Sequence, residues 1–141
     1  MIVIGVGTGG TLTGVAEGLR ARKPTVEVVA VEPASCAILS GGRPGPHRIE
    51  GLGAGFVPDT LRRDLIDRVI PVTDHDAVTT AIRLLEEEGL SVGISSGAAA
   101  WAALQEASKE ENRGKVIVTL FPSAAERYLQ TILFDDLRGK I

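Results

Sequence analysis

Aromatic residues make up only 4% of this 141-residue chain, too few for the large flat side chains that usually fill an all-β sandwich core. Cysteine occurs once, at Cys36. That excludes an internal disulfide and points to a reducing, cytoplasmic setting. No apolar run approaches the length of a membrane span, and the first residues lack the charged region and cleavage site of a signal peptide. The net charge is −3 and no basic stripe stands out, which argues against nucleic acid as a partner. The two histidines, His47 and His75, are not at ligand spacing. No carboxylate pair, metal cluster or nucleophile–base arrangement is visible. Small and apolar residues take the place of all these: 17 glycines and 44% hydrophobic residues. This mix suits a single α/β domain with close helix–sheet packing.

Residues 2–6 read as a buried strand and 11–22 as a helix, with Leu12, Val15, Ala16 and Leu19 on one face. A β-branched run at 26–31 reads as a second strand, stopped by Glu32-Pro33. Strand, helix and strand within 33 residues make a βαβ unit, hence a parallel sheet with a right-handed crossover. Residues 34–58 are too rich in Gly and Pro for a helix or central strand. A loop of that length, carrying His47 and Arg48, fits a surface that meets a ligand, another domain or another subunit. Residues 61–65 form a helical turn and 68–72 a short strand. Residues 73–88 carry the clearest helical pattern, with Thr73 as N-cap, Asp76 in the first turn, Gly89 at the C-terminal cap, and Val78, Ala81, Ile82 and Leu85 as the buried stripe. An alanine-rich helix reaches about Ser108, with Ser95 or Ser96 as N-cap. Residues 115–121 read as a further buried parallel strand and 131–141 as a tail anchored by Ile132, Leu133, Phe134 and Leu137. Met1 leads straight into a core strand, which predicts an N-terminal truncation.

The stretch Gly7-Thr8-Gly9-Gly10-Thr11 carries the main chemical signal. A glycine-rich loop between a strand and a helix lets the backbone approach a ligand closely. The helix then points free N–H groups and its positive dipole end at the loop, where a phosphate is the natural occupant. In a parallel sheet, ligands sit beyond the carboxyl ends of the strands. If one sheet holds these strands, the loops with Gly7–Thr11, Ser95/Ser96 and Pro122/Ser123 converge on one pocket. A phosphate cradle with neutral hydroxyls suits an organic cofactor that brings its own reactivity.

These residues support a resemblance. Gly7-Thr8-Gly9-Gly10-Thr11, Val31-Glu32-Pro33, the stretch from Gly45-Pro46-His47-Arg48 to Gly51-Leu52-Gly53-Ala54-Gly55-Phe56, Gly89–Ala99 and Glu126-Arg127-Tyr128-Leu129 run in the order and spacing of cysteine synthase (O-acetylserine sulfhydrylase). They resemble its C-terminal part, within the pyridoxal-phosphate enzymes related to the tryptophan synthase β subunit. The resemblance implies a three-layer α/β/α fold with a parallel sheet, incomplete because the N-terminal half is missing. Residues 1–141 would be the C-terminal part of the cofactor-binding large domain.

The resemblance implies that Gly7, Thr8, Gly9, Gly10 and Thr11 hold the cofactor phosphate and that Ser95 hydrogen-bonds the pyridine nitrogen. Gly51 and Gly53 would line the substrate side, and His47 and Arg48 would dock the C-terminal peptide of serine acetyltransferase. The implied cytoplasmic activity, of transferase or lyase type, eliminates acetate from O-acetylserine and adds sulfide to give cysteine. The family's Schiff-base lysine stands in a Ser-X-Lys motif that is absent here, where only Lys23, Lys109, Lys115 and Lys140 occur. The chain alone is therefore expected to lack a catalytic residue and turnover. Departures from the family pattern are Glu50 for Gln, Cys36-Ala37 for Ser-Pro, Ala125 for Gly and Gln130 for Ser. Two alternatives stand beside this reading. One is a non-catalytic module that docks serine acetyltransferase or a complementary fragment. The other is cystathionine β-synthase, against which the Gly-Ile-Ser-Ser-Gly and Glu-Arg-Tyr-Leu wording counts. An incomplete sheet also predicts a homo-oligomer, by strand exchange.

Overall fold

The computed structural model describes residues 1–134. Strand β1 (Ile2–Gly5) leads through the glycine loop into helix α1 (Gly10–Arg20), and the chain returns along strand β2 (Val28–Pro33). After a long irregular stretch come strand β3 (Arg68–Val72), helix α2 (Asp74–Glu88), helix α3 (Ile94–Ala107) and strand β4 (Val118–Thr119). The sheet order is β3-β2-β1-β4, and every pairing is parallel. All strand carboxyl ends therefore open on one side of the molecule, the side of the Gly7–Thr11 loop.

Two apolar layers flank the sheet. On one face Ile2, Ile4, Val28 and Ala30 pack against Leu12 and Ala16 of α1. On the other, Val3, Val29 and Val31 pack against Ala77 and Ala81 of α2 and Ile94, Ala98 and Ala102 of α3. The three-layer α/β/α arrangement is thus present, over a four-stranded sheet. Alternation along β1 and β2 sends successive side chains into opposite layers, and both layers are apolar, so these strands are hydrophobic throughout. The alanines on α2 and α3 keep the two helices close.

Local signals placed several boundaries well. Thr73 caps α2, its hydroxyl oxygen accepting from the Asp76 N–H at 3.1 Å. Gly89 ends the helix in the left-handed region at φ 68°. The 34–58 stretch is irregular apart from a short 3-10 turn, Ala34–Cys36, and Cys36 is packed inside.

Four expectations need correction. The second strand lies at Val28–Pro33 rather than 26–31, because Glu32 and Pro33 pair with Pro71 and Val72 instead of stopping it. The fully buried stripe of α2 is Ala77, Thr80 and Ala81; of the expected positions Ala81 is buried, Val78 and Ile82 pack partly buried against the same core, and Leu85 is 36% exposed. Helix α3 starts at Ile94 with Gly93 as N-cap, so Ser95 and Ser96 sit inside its first turn and neither caps it. Strand β4 has two residues instead of seven. Among the described residues β1 is its only strand neighbour, and Val116, Val118 and Leu120 are exposed. Ile132, Leu133 and Phe134 pack on the core as expected, whereas Leu137 lies outside the described residues.

The amino-terminal end of the sheet is tied by charge. Glu106 of α3 is 1% exposed and accepts from Arg68 at 2.8 Å, Lys109 at 2.7 Å and Asn112 at 3.2 Å. Glu106 is buried while Arg68 and Lys109 reach solvent, so the set brings two half-exposed cations onto one enclosed carboxylate. Glu27, ahead of β2, accepts from Lys115 at 3.0 Å and Arg68 at 3.2 Å. The Lys115 ammonium holds the Glu27 carboxyl below its ordinary value, and the Arg68 charge acts in the same direction. A carboxyl depressed by folding stabilises the fold above its unfolded pKa and loses that contribution as pH falls through the folded value. Glu27→Gln is therefore expected to lower the melting temperature at pH 7. The gap from the wild-type chain should close as the pH falls below about 4.5, as read by thermal unfolding across a pH series.

Candidate functional site

The glycine loop is fixed by what presses on it. A Cβ added at Gly7 would stand 2.2 Å from the Gly51 carbonyl oxygen, so only glycine admits this approach. Gly9 turns the chain into α1 at φ 83° and serves as its N-cap without a side-chain hydrogen bond. The Thr13 N–H takes the Gly9 carbonyl at 3.0 Å. The amides of Gly10, Thr11 and Leu12 precede the helical ladder, and no acidic residue lies in that first turn. Free N–H groups on an eleven-residue helix, uncapped and unopposed by carboxylates, favour an anion.

Behind this loop a clamp holds segment 60–62 on α1. The Thr13 hydroxyl donates to the Thr60 carbonyl at 3.0 Å and accepts from the Arg62 N–H at 3.1 Å. The Thr60 hydroxyl donates to the Thr8 carbonyl. Leu61 packs beneath Gly9. No local pattern announces this clamp, which joins the helix to a distant loop.

The expected convergence is present in part. Thr11, Ser95 and Pro122 line one cleft of about 310 Å³, closed by Ile4, Gly5, Leu52, Ala99 and Leu120. Ser95 is 6% exposed, and its hydroxyl finds no hydrogen-bond partner among the described residues. Ser123 lies outside this cleft and pairs with Tyr128. Ser96 is fully buried with an unpartnered hydroxyl and does not line the cleft. Thr8 is exposed beside the loop.

Gly7 and Gly53 border a second cavity of about 230 Å³, shared with Glu32, Cys36 and Phe56. Glu32 is 2% exposed and shapes its rim: the carboxylate accepts from the Leu39 N–H at 2.8 Å, the Ser40 N–H at 2.9 Å and the Ser40 hydroxyl at 2.6 Å. Sequence reasoning missed this role, because Glu32 read as part of a strand stop. The Gly53 N–H donates to the Val6 carbonyl at 3.1 Å, and the Gly53 carbonyl lies 3.1 Å from His47 Nε2. Gly51 touches the cradle through its carbonyl. His47 and Arg48 face a third cleft, of about 610 Å³, with Glu50, Gln130, Thr131 and Ile132. The Arg48 N–H donates to both Asp74 carboxylate oxygens, at 3.1 and 3.0 Å. His75, expected to be exposed, is so.

The described part of the site thus offers helix amides, a threonine and a buried serine hydroxyl, with neither a carboxylate nor a cation in the Thr11–Ser95 cleft. Among the described lysines, Lys109 and Lys115 are engaged with Glu106 and Glu27 at the amino-terminal end of the sheet. This donor set fits a phosphorylated organic group, with helix amides for the phosphate and a neutral hydroxyl in the same cleft.

Comparison with known proteins agrees with that chemistry. Residues 1–123 match the family model described as pyridoxal-phosphate dependent enzyme. The chain is 52% identical over 134 residues to the cysteine synthase of Staphylococcus aureus strain N315, covering 94% of this chain and 43% of that protein. It superposes on the structure of O-acetyl serine sulfhydrylase isoform 3 from Entamoeba histolytica with a TM-score of 0.93 and 49% identity, covering 94% of this chain and 40% of that one. The O-acetylserine dependent cystathionine beta-synthase from Helicobacter pylori gives a TM-score of 0.87 and 41% identity, over 94% of this chain and 43% of that one. The chain thus spans less than half the length of the curated relatives it matches.

Proposed function

The chain belongs to the pyridoxal-phosphate dependent enzyme family, and on that premise we propose that it is the C-terminal part of the cofactor-binding large domain of a cysteine synthase. The observation that carries this reading is the single cleft shared by Thr11, at the uncapped start of α1, and the unpartnered hydroxyl of Ser95. In this reading the Gly7–Thr11 backbone amides bind the cofactor phosphate, aided by the Thr8 and Thr11 hydroxyls. Ser95 meets the pyridine nitrogen. Being neutral, it orients the ring without placing a counter-charge beside that nitrogen. When bound, pyridoxal phosphate supplies the electron-withdrawing ring that makes β-elimination and replacement accessible. Gly51 and Gly53 shape the side from which substrate enters: open space lies beside Gly51, while Pro33 and His47 close in on Gly53.

The whole scaffold's reaction is then conversion of O-acetylserine and sulfide to cysteine and acetate. The β-carbon–oxygen bond breaks, acetate departs, and a carbon–sulfur bond replaces it. This chain supplies the phosphate and ring-nitrogen ends of the site, while the covalent lysine is not among the residues lining its cleft. The reading is of a cytoplasmic enzyme of cysteine biosynthesis. Cystathionine β-synthase chemistry is the second reading, favoured by the likeness to the Helicobacter protein; the 52% identity to a cysteine synthase favours the first.

Two interactions belong to the same proposal. The Arg48 guanidinium makes no ion pair among the described residues and borders the third cleft with His47. The Arg48 guanidinium and the His47 ring suit the carboxylate end of the serine acetyltransferase C-terminal peptide, with Glu50 in the same cleft selecting against further negative charge. Among the described residues the outer edge of β4 is unpaired, next to exposed Val116, Val118 and Leu120, which favours association with a second copy.

Titration calorimetry of the pure chain is expected to show binding of pyridoxal phosphate. Gly7→Ala should weaken it by at least about tenfold, since the new methyl meets the Gly51 carbonyl. The same preparation should form no cysteine from O-acetylserine and sulfide; turnover by this chain alone overturns the reading of a site completed elsewhere. A peptide from the serine acetyltransferase C-terminus should be retained by the chain and lost from His47→Ala/Arg48→Ala, and indifference to the double variant removes the docking role. Light scattering should give a mass above the 14.8 kDa of one chain, and a stable monomer removes the self-association.

A further inference from the structure

The Thr11–Ser95 cleft has a support behind it that the proposed function does not use. Ser95 stands in the first turn of α3, whose N-cap Gly93 brings no side-chain hydrogen bond. The start of that helix is held from outside. The Gly93 N–H donates to the Ser123 carbonyl at 3.0 Å, and the Gly93 carbonyl accepts from Ser96 at 3.0 Å and Gly97 at 3.1 Å. The Tyr128 ring lies against the same residue. A Cβ at Gly93 would stand 2.4 Å from Tyr128 Cε2 and 2.7 Å from Ser123 Oγ. Tyr128 is 7% exposed, and its phenol shares a 3.1 Å hydrogen bond with the Ser123 hydroxyl. The Ala125 N–H donates to the Ser91 carbonyl at 3.3 Å, and Val92 bridges Ala124.

Segment 122–128 therefore begins at the cleft wall, at Pro122, and folds back to grip the entry of α3. The ring of Tyr128 fills space, and a phenylalanine would do the same. The phenol adds one thing, the bond to Ser123, whose carbonyl holds Gly93 and whose neighbour Pro122 lines the same cleft as Ser95.

We infer that Tyr128 and Ser123 are positioning residues for Ser95: their hydroxyl pair locks the start of α3 to the Pro122 turn and so sets where the Ser95 hydroxyl stands in the cleft. The inference rests on the proposed pairing of Ser95 with the ring nitrogen.

The test compares binding of pyridoxal phosphate with binding of its analogue that has carbon in place of the ring nitrogen, using the full chain. The ratio of the two affinities reports the nitrogen contact, because any change at the phosphate end affects both compounds alike. The wild-type chain is expected to prefer the nitrogen compound by about tenfold. Ser95→Ala should abolish that preference. Tyr128→Phe and Ser123→Ala should each reduce it by at least about threefold while leaving inorganic phosphate binding unchanged, and Ser95→Ala/Tyr128→Phe should be no worse than Ser95→Ala alone. If Ser95→Ala loses the preference and Tyr128→Phe keeps it, the positioning role is overturned and the Ser95 assignment stands. If Ser95→Ala keeps it, the assignment fails and the inference fails with it. Amide NMR spectra of the unliganded chain give a second readout. Tyr128→Phe should shift the Ser95 and Ser96 signals and leave those of Gly7 to Leu12 in place; unmoved Ser95 and Ser96 signals overturn the inference.

Discussion

The approach of the Gly7 backbone to the Gly51 carbonyl is the contact on which the rest of this molecule depends. With 2.2 Å between that oxygen and the place a Cβ would occupy, the glycine loop and the distant 51–53 segment can meet only backbone to backbone. The meeting is reinforced one residue earlier, where the Gly53 N–H takes the Val6 carbonyl at 3.1 Å. It brings a long irregular stretch across the end of the parallel sheet. Leu52 then reaches the wall of the Thr11–Ser95 cleft, and Gly53 the edge of the neighbouring cavity. A loop so free of regular structure would otherwise have little reason to lie there. Ile49 and Leu39 anchor it in the two apolar layers, and the rest of its order comes from hydrogen bonds and from close approach at glycines.

The same economy appears at the other end of the cleft. At Gly93 the ring of Tyr128 takes the space a side chain would need, so α3 starts without a capping hydroxyl and Ser95 is left unengaged. Serine near a helix start usually satisfies the helix's own amides. Here segment 122–128 carries that burden through the Ser123 carbonyl, and the hydroxyl faces the cleft. One set of charged groups stands apart from this machinery: Glu106, Arg68, Glu27, Lys109 and Lys115 bind one another at the amino-terminal end of the sheet. At the carboxyl-terminal end the Thr11–Ser95 cleft keeps uncompensated helix amides and neutral hydroxyls, while Glu32, beside Gly7, is occupied by the Leu39 and Ser40 donors. An anion arriving there meets no competing carboxylate in the Thr11–Ser95 cleft.

Much of this was readable from residue order, and the pattern of success has a physical basis. The βαβ unit, the Thr73 cap and the Gly89 stop are local events settled within a few residues. The convergence of Thr11 and Ser95 followed from one topological rule about parallel strands. Four boundaries escaped because distant contacts decide them. Gly93, rather than either serine, caps α3 because Tyr128 and Ser123 press on it. The fully buried stripe of α2 is set by packing against α3. The apolar run 115–121 forms only a two-residue strand, since pairing needs a neighbour as well as a hydrophobic sequence. Glu32 read as punctuation, yet it holds the Leu39 and Ser40 amides. The Thr13–Thr60 clamp has no sequence signature at all, being one hydroxyl meeting one carbonyl from a remote loop.

The distribution of order within the chain bears on how a site of this kind can be divided. Each group proposed to bind the cofactor here is held by contacts internal to the chain: Gly7 by Gly51, the start of α1 by Leu61 and Thr60, Ser95 by the brace at Gly93. None of these supports calls on another polypeptide. The exposed apolar positions Val116, Val118 and Leu120 instead lie along β4 and its approaches, where the sheet has its open edge. Ligand positioning and sheet completion are thus separate structural problems, solved by different residues. On the proposed reading, a cofactor phosphate and a ring nitrogen would meet Gly7–Thr11 and Ser95 already in place. The geometry of both is set by close approach at two glycines, Gly7 and Gly93. Pre-organisation of that kind reduces the ordering cost that binding must overcome, and it makes the cradle the part of the site that can be studied without the chemistry it serves.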